Sequence, residues 1–231
     1  MKQFIICLCM LLLATNIVAQ ERELLPVDWQ LIRKEVKDNP QHIKDLVARL
    51  SANKLDKTLT YQERILAFYG QSFLTNDEEE TLISEMFNQK QQGDTENCLK
   101  TAKEVLSINP LHLQALNMIA QTLYAMAKDS TSHAGTKVED AKPYLNRAMR
   151  IFNTIAKTGD GSEQHPFYVT KVSDEYCFMR YYLDLWDFKT QEATSCCDIF
   201  TLNETSDYYN QPKIHFEITR VYELEKLLFV K

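Results

Sequence analysis

GDTENCLKTAKEVLSINP, residues 93–110, decides how the rest of the chain is read. Gly93 turns the chain. Cys98, Ala102 and Val105 then recur at three- and four-residue spacing, the signature of one helix face. Small residues on that face let a second helix approach closely, while Leu99 and Leu106 fill the sides. Asn109 and Pro110 close the unit, because proline cannot continue a helix. Upstream, Ile83, Met86 and Phe87 mark the helix that would pair with it. A degenerate second copy follows. Leu116, Ile119, Ala120 and Leu123 mark its first helix, and Ala141, Leu145, Ala148, Met149 and Phe152 its second. The polar loop 128–137 between them is longer than such a unit needs.

This is the pattern of tetratricopeptide-like helical hairpins. It predicts a mostly α fold, with a helical body over residues 20–158 and a small α+β cap over 159–231. Two units alone leave their end faces bare, so flanking elements must cover them. Trp29, Ile32, Val36, Ile43, Leu46, Val47 and Leu50 give two upstream helices, split at Asp38, Asn39 and Pro40. Thr60 and Glu63 form a capping-box pattern opening a helix through Phe73. Thr75 or Asn76 is expected to start the next helix, with the acidic run 77–80 at its positive end. Beyond Gly159, Asp160 and Gly161, residues 167–172 are β-prone. Ser173 or Asp174 can cap a helix with Tyr176, Met179, Leu183 and Trp186 on one stripe. Strands are expected at 196–202 and 213–219, the second alternating cleanly, with Ile214, Phe216 and Ile218 inward. Residues 222–229 read as a final helix.

The N-terminus carries Lys2, an apolar run over 4–13, and Ala19 before a polar start, which is the pattern of a secretory signal peptide cleaved after residue 19. The run is too short for a permanent membrane helix. An exported protein, periplasmic or extracellular, is expected. The chain has 26 basic and 32 acidic residues, a net charge of −6. Lys2 is the only charge in 1–19, so cleavage shifts this to −7. No basic stripe exists to neutralise phosphates, which argues against a nucleic-acid partner.

Cys98, Cys177, Cys196 and Cys197 lie beyond the leader. Cys98 fills a packing slot and reads as a buried thiol. Adjacent Cys196 and Cys197 are poor partners for each other, so a bridge from Cys177 to either is the pairing to look for.

Four stretches occur together and in order: DKTLTYQERILAFYGQSF, GDTENCLKTAKEVLSINPL, TGDGSEQHPFYVTKVSDEY and IHFEI. With them the chain resembles an uncharacterised family of exported Gram-negative bacterial proteins, catalogued as a domain of unknown function. The resemblance implies a tetratricopeptide-like body with a mixed C-terminal segment and implies no activity. Phe68 stands where that family usually has tyrosine.

No HExxH, P-loop, GxSxG or dinucleotide-binding glycine pattern is present. No metal site and no cofactor is expected. His42, His112 and His133 read as surface residues. The one region with catalytic residue types near each other is Asp160, His165, Asp174 and Glu175, which His215 could join in space to bind a metal or move protons. Asp160 equally suits a turn, and Asp174 and Glu175 a helix N-terminus. A protein or peptide partner is the stronger expectation. In a helical-hairpin array the first helix of each unit lines a groove. Gln114, Asn117, Gln121 and Tyr124 would face it, with Ser84, Asn88 and Gln91 from the preceding unit. Amides both donate and accept, and so can hold an extended backbone. Asp129, Ser130 and Thr131 resemble a short bacterial O-glycosylation acceptor, and Asn203, Glu204 and Thr205 fit the N-glycosylation pattern, idle in a bacterium.

Overall fold

The computed structural model describes residues 23–128 and 135–229, which carry nine α-helices, a 3₁₀ turn and one four-stranded sheet. The predicted leader, Ser130 and His133 lie outside the described residues. The helices are α1 (Trp29–Asp38), α2 (Pro40–Ser51), α3 (Tyr61–Thr75), α4 (Glu80–Gln91), α5 (Thr95–Ile108), α6 (Leu113–Lys128), α7 (Lys142–Thr158), α8 (Val172–Tyr181) and α9 (Thr219–Phe229). The strands are β1 (Phe167–Tyr168), β2 (Phe188–Ala193), β3 (Cys197–Leu202) and β4 (Lys213–Glu217), in spatial order β1-β4-β3-β2. β1 runs parallel to β4, and the other two pairings are antiparallel. A mostly helical chain ending in a small mixed segment is therefore the architecture.

Local chemistry sets the helix ends. Asp28 caps α1 by accepting from the Gln30 and Leu31 amides, both at 3.0 Å. Thr60 and Glu63 close the expected capping box on α3. α3 ends where Asn76 turns left-handed at φ 45°, so neither Thr75 nor Asn76 starts the next helix. α4 begins only at Glu80, and the acidic run is used differently. Lys171 pairs with Asp77 and lies 3.6 Å from Glu79, which is fully buried and accepts from Asn109 at 2.9 Å. Burial opposes the Lys171 charge, but Glu79 and Asp77 outweigh it and hold the ammonium above its ordinary range.

One apolar core runs from Val27 to Val221. Cys98, Ala102 and Val105 are fully buried where α5 packs between α4 and α6. Each fully buried leucine or isoleucine, such as Leu116 or Ile43, contributes roughly 1.5–3 kcal/mol. Two buried arginines join distant segments. Arg150 on α7 donates to the carbonyls of Leu50, Ala52 and Asn53, capping the end of α2. Arg220 on α9 donates to the Ser72 carbonyl at 2.6 Å and Asn76 Oδ1 at 2.9 Å, with its guanidinium 3.9 Å from the Phe73 ring centroid. In the C-terminal segment Phe178 is the hub, against Phe152, Phe167, Tyr182 and Phe216.

Several expectations are corrected. Leu145 and Met149 are 46% and 42% exposed, not packed inward: α7 uses the Ala148–Ile151–Phe152–Ile155 face for the core. α8 stops at Tyr181, and Trp186 is 60% exposed rather than on its buried stripe. β2 lies where no strand was expected, because this edge strand is polar and exposed along almost its whole length. α9 begins at Thr219, three residues before the expected start. His112 is buried at the head of α6, where Nδ1 accepts from the Ala115 amide at 3.3 Å. Cys177 is buried and free, and among the described residues Cys98, Cys196 and Cys197 are free thiols as well, so the bridge from Cys177 is not formed.

Candidate functional site

α8 packs on α6, which fixes the fate of the expected groove. Asn117 is buried, with Nδ2 donating to its own helix at Leu113 O, 3.0 Å, and the Cys177 thiol bonded to its side chain. Its amide is spent inside the fold, so the four-residue groove face is not a continuous surface. Gln114 is half-buried on a small cavity of about 240 Å³, shared with Lys171 and His112. Gln121 is exposed and donates to the Tyr181 hydroxyl at 2.8 Å. Tyr124 is exposed, under the Lys128 ammonium at 4.4 Å. Ser84, Asn88 and Gln91 are exposed on α4.

The alternative cluster does not converge. The turn at 159–166 folds on itself: Asp160 and Gly161 amides donate to His165 O at 2.9 and 3.0 Å, and Asp160 Oδ1 accepts from Ser162. Gly161 sits at φ 81° with the Tyr209 hydroxyl 2.6 Å from where a Cβ would be, so only glycine fits there. The His165 ring is exposed. His215 reaches this turn at the backbone alone, with its amide 2.9 Å and its Nδ1 3.1 Å from Gly161 O. Asp174 faces away, and Oδ2 accepts from Thr170 N and Oγ1 and from Lys171 N, as a helix N-terminal carboxylate should. Burial nevertheless pushes its carboxyl above the ordinary range. Glu175 is buried against Asp198 on β3. Among the described residues, no group of three or more His, Cys, Asp or Glu is placed to hold a metal ion.

A cavity of about 740 Å³ opens beside that turn between α7, the end of α8 and the loop joining β3 to β4. Met149 and Asn153 form one wall, Arg180, Tyr181 and Asp184 the second, and Tyr208 the third. Asp160 and the buried Tyr209 stand at its base. Tyr209 is fixed because its hydroxyl donates within 2.8 Å of Lys213 O and 3.1 Å of Gly161 O. Behind the second wall, Trp186 stands edge-on to Tyr181, centroids 5.9 Å apart, and its Nε1 donates to Asp184 Oδ1 at 2.7 Å. Asp184 holds this corner in a left-handed conformation, φ 54°. Tyr208 is 71% exposed. The result is a cleft with aromatic, methionine and arginine groups on its walls and paired polar groups between them. Of the residues singled out from the sequence, Asp160 lies inside it, and Gln121 is bonded to its Tyr181 wall. Nothing in the sequence places the loop that carries Tyr208 and Tyr209 opposite α7.

No helix of the described residues is long and apolar enough to cross a membrane. Neither the curated proteins nor the solved structures contain a match to this chain. A family model does match, over residues 30–226, so nearly all the described fold lies inside one family unit; the chain belongs to the family described as Domain of unknown function (DUF4919).

Proposed function

We propose that this protein is a non-enzymatic binding module of the cell envelope, and that a polypeptide segment of its partner docks in the cleft walled by Met149, Arg180, Tyr181 and Tyr208. The observation that carries the reading is the exposure of aromatic side chains beside a concave surface, with the Trp186 ring held by Tyr181 and Asp184. Trp186 and Tyr208 are 60% and 71% exposed, although nothing in their own packing requires it. Tyrosine, tryptophan, methionine and arginine are the residue types that concentrate in the energetic centres of protein interfaces. A ring already held in place loses little freedom on binding, which keeps the ordering cost low. Asn153, Asp160 and Asp184 supply acceptors and a donor for a peptide backbone beside those rings. The leader pattern at 1–19 supports export. Asp174 and Glu175 are held apart from Asp160, His165 and His215, so binding is the reading we retain.

The test is quantitative affinity capture from the envelope of the source bacterium, comparing the wild type with Trp186→Ala/Tyr208→Ala. A partner enriched by the wild type and depleted at least about tenfold with the variant, as loss of interface anchors worth about 1.4 kcal/mol or more requires, supports the cleft. Identical partner profiles for both proteins refute it.

A further inference from the structure

The tip of the β2–β3 hairpin carries a second site, built from the adjacent pair Cys196 and Cys197. Side chains of neighbouring residues in a strand point to opposite faces. Here Cys196 lies in the turn and Cys197 opens β3, next to the Ala193–Asp198 pair that closes the hairpin, and the two sulfurs come together. Sγ of Cys196 lies 3.5 Å from Sγ of Cys197. Cys196 is exposed and Cys197 half-buried, so the pair can be reached. The turn is held tightly. The Thr194 amide donates to Cys197 O at 2.8 Å, and Thr194 Oγ1 accepts from the amides of Cys197 and Cys196 at 3.0 and 3.4 Å. From α9, the Tyr222 hydroxyl donates to Thr194 O at 2.7 Å and pins the tip to the body.

Two outcomes are open to neighbouring thiols, and geometry separates them. A direct disulfide wants Cα atoms about 4.4–6.8 Å apart, whereas a trans peptide fixes adjacent ones at about 3.8 Å. Inserting one atom between the sulfurs removes that conflict. With sulfur bonds of about 2.3 Å, sulfurs 3.5 Å apart subtend an angle of about 100° at a bridging centre. A linear two-thiolate ion would need them about 4.6 Å apart on the same bond length. A four-coordinate zinc would need two further ligands, and no group of three or more His, Cys, Asp or Glu among the described residues supplies them.

We infer that Cys196 and Cys197 form a chelating dithiol site for a soft, pyramidal, three-coordinate centre, of which trivalent arsenic is the type. The chemistry balances without an oxidant. An organic arsenoxide loses its arsenic–oxygen double bond, two S–H bonds break, two arsenic–sulfur bonds form, and both protons leave with the oxygen as water. Arsenic stays trivalent throughout. The reaction starts from thiols. Burial and the adjacent Cys196 push the Cys197 thiol up to about 12, so capture goes through its minor thiolate form and quickens as pH rises.

The probe is phenylarsine oxide, added to the reduced full chain carrying Cys7→Ser and Cys9→Ser, which removes the two leader thiols. Intact mass should show one phenylarsenic group per chain, stable to excess 2-mercaptoethanol and stripped by a small dithiol. Cys196→Ser and Cys197→Ser should each lower occupancy at least tenfold, while Cys177→Ser, at a buried thiol, leaves it unchanged. Unaltered melting temperatures for the two serine variants keep the comparison clean. An adduct that persists in either serine variant, or none in the parent, overturns the assignment.

Discussion

The carboxyl of Glu175, at the start of α8, meets the carboxyl of Asp198 on β3 in a region closed to water. Both Glu175 oxygens and Asp198 Oδ1 lack a donor, while Asp198 Oδ2 accepts from Gln191 Nε2 at 2.7 Å. Two carboxylates offer only acceptors, so a proton on Glu175 is what lets one bond satisfy both sides. Burial, Asp198 and neighbouring Asp174 all push the Glu175 carboxyl well above its ordinary 4.5, and no cation is among the groups acting on it.

This pair sets the alkaline side of the stability curve. The native state keeps a proton that the unfolded chain releases above about 4.5. Stability therefore falls as pH rises above that value, by about 1.4 kcal/mol per pH unit, until Glu175 ionises in the fold. Glu175→Gln keeps a donor without the titration. Its melting temperature should match the wild type near pH 4 and exceed it at neutral pH. Parallel melting profiles for the two proteins would show that no proton is held there.

His112 sets the acid side. Burial, followed by the Lys171 charge, pulls its imidazole down to about 3, and Nδ1 must stay unprotonated to accept from Ala115. The unfolded chain binds a proton near 6.5, so stability falls as pH drops from 6.5 towards 3, again by about 1.4 kcal/mol per unit. His112→Asn retains a capping acceptor and does not titrate. Urea midpoints measured at pH 7 and pH 5 should differ less in this variant than in the wild type; an equal difference would refute the assignment.

Arg220 locks α9 to the end of α3. Its Nη2 donates to Ser72 O and Asn76 Oδ1, its Nε to Ser72 Oγ at 3.2 Å, and Nη1 to Glu223 Oε2 at 3.2 Å. Arg220→Ala removes the charged donor shared by Ser72 O and Asn76 Oδ1, leaves Ser72 O with the Asn76 amide alone, and bares the Phe73 face, at a cost of about 3 kcal/mol. For a chain of this size that is a fall of about 10 °C in Tm. Arg220→Met should recover part of it by covering Phe73. A change under about 2 °C in Arg220→Ala would show that the α9 clamp is dispensable.

What could be read in advance follows from range. Cys98, Ala102 and Val105 declared a buried helix face through local period alone, and Ile214 and Phe216 declared a buried strand face in the same way. Thr60 and Glu63 announced a cap three residues apart. Asn117 misled because its burial is imposed by α8, about sixty positions away, and local pattern carries no trace of that packing. β2 was invisible for the opposite reason: an edge strand with almost every side chain in water has no alternation to detect. The cleft is assembled from three separated segments, around Met149, Arg180 and Tyr208, so no single window contained it. Leu145 and Met149 looked like core for their type, yet apolar residues at the surface are ordinary, and only the fold shows that these are exposed.

The cleft also makes a stability claim separable from binding. Trp186 and Tyr208 sit mostly in water, so truncating them removes little buried area. Trp186→Ala/Tyr208→Ala should unfold within about 0.5 kcal/mol of the wild type, the range of surface substitutions remote from structural features. Tyr209→Phe is the contrast. Its ring is buried, and its hydroxyl holds the 159–166 turn to β4 through Gly161 and Lys213. Removing that hydroxyl takes a donor from Lys213 O and one of the donors from Gly161 O, which keeps the His215 amide, and should cost about 1–3 kcal/mol. Chemical denaturation of both variants checks the split. If the exposed pair destabilises as much as Tyr209→Phe, those rings serve the fold, and the cleft loses its claim to be kept open for a partner.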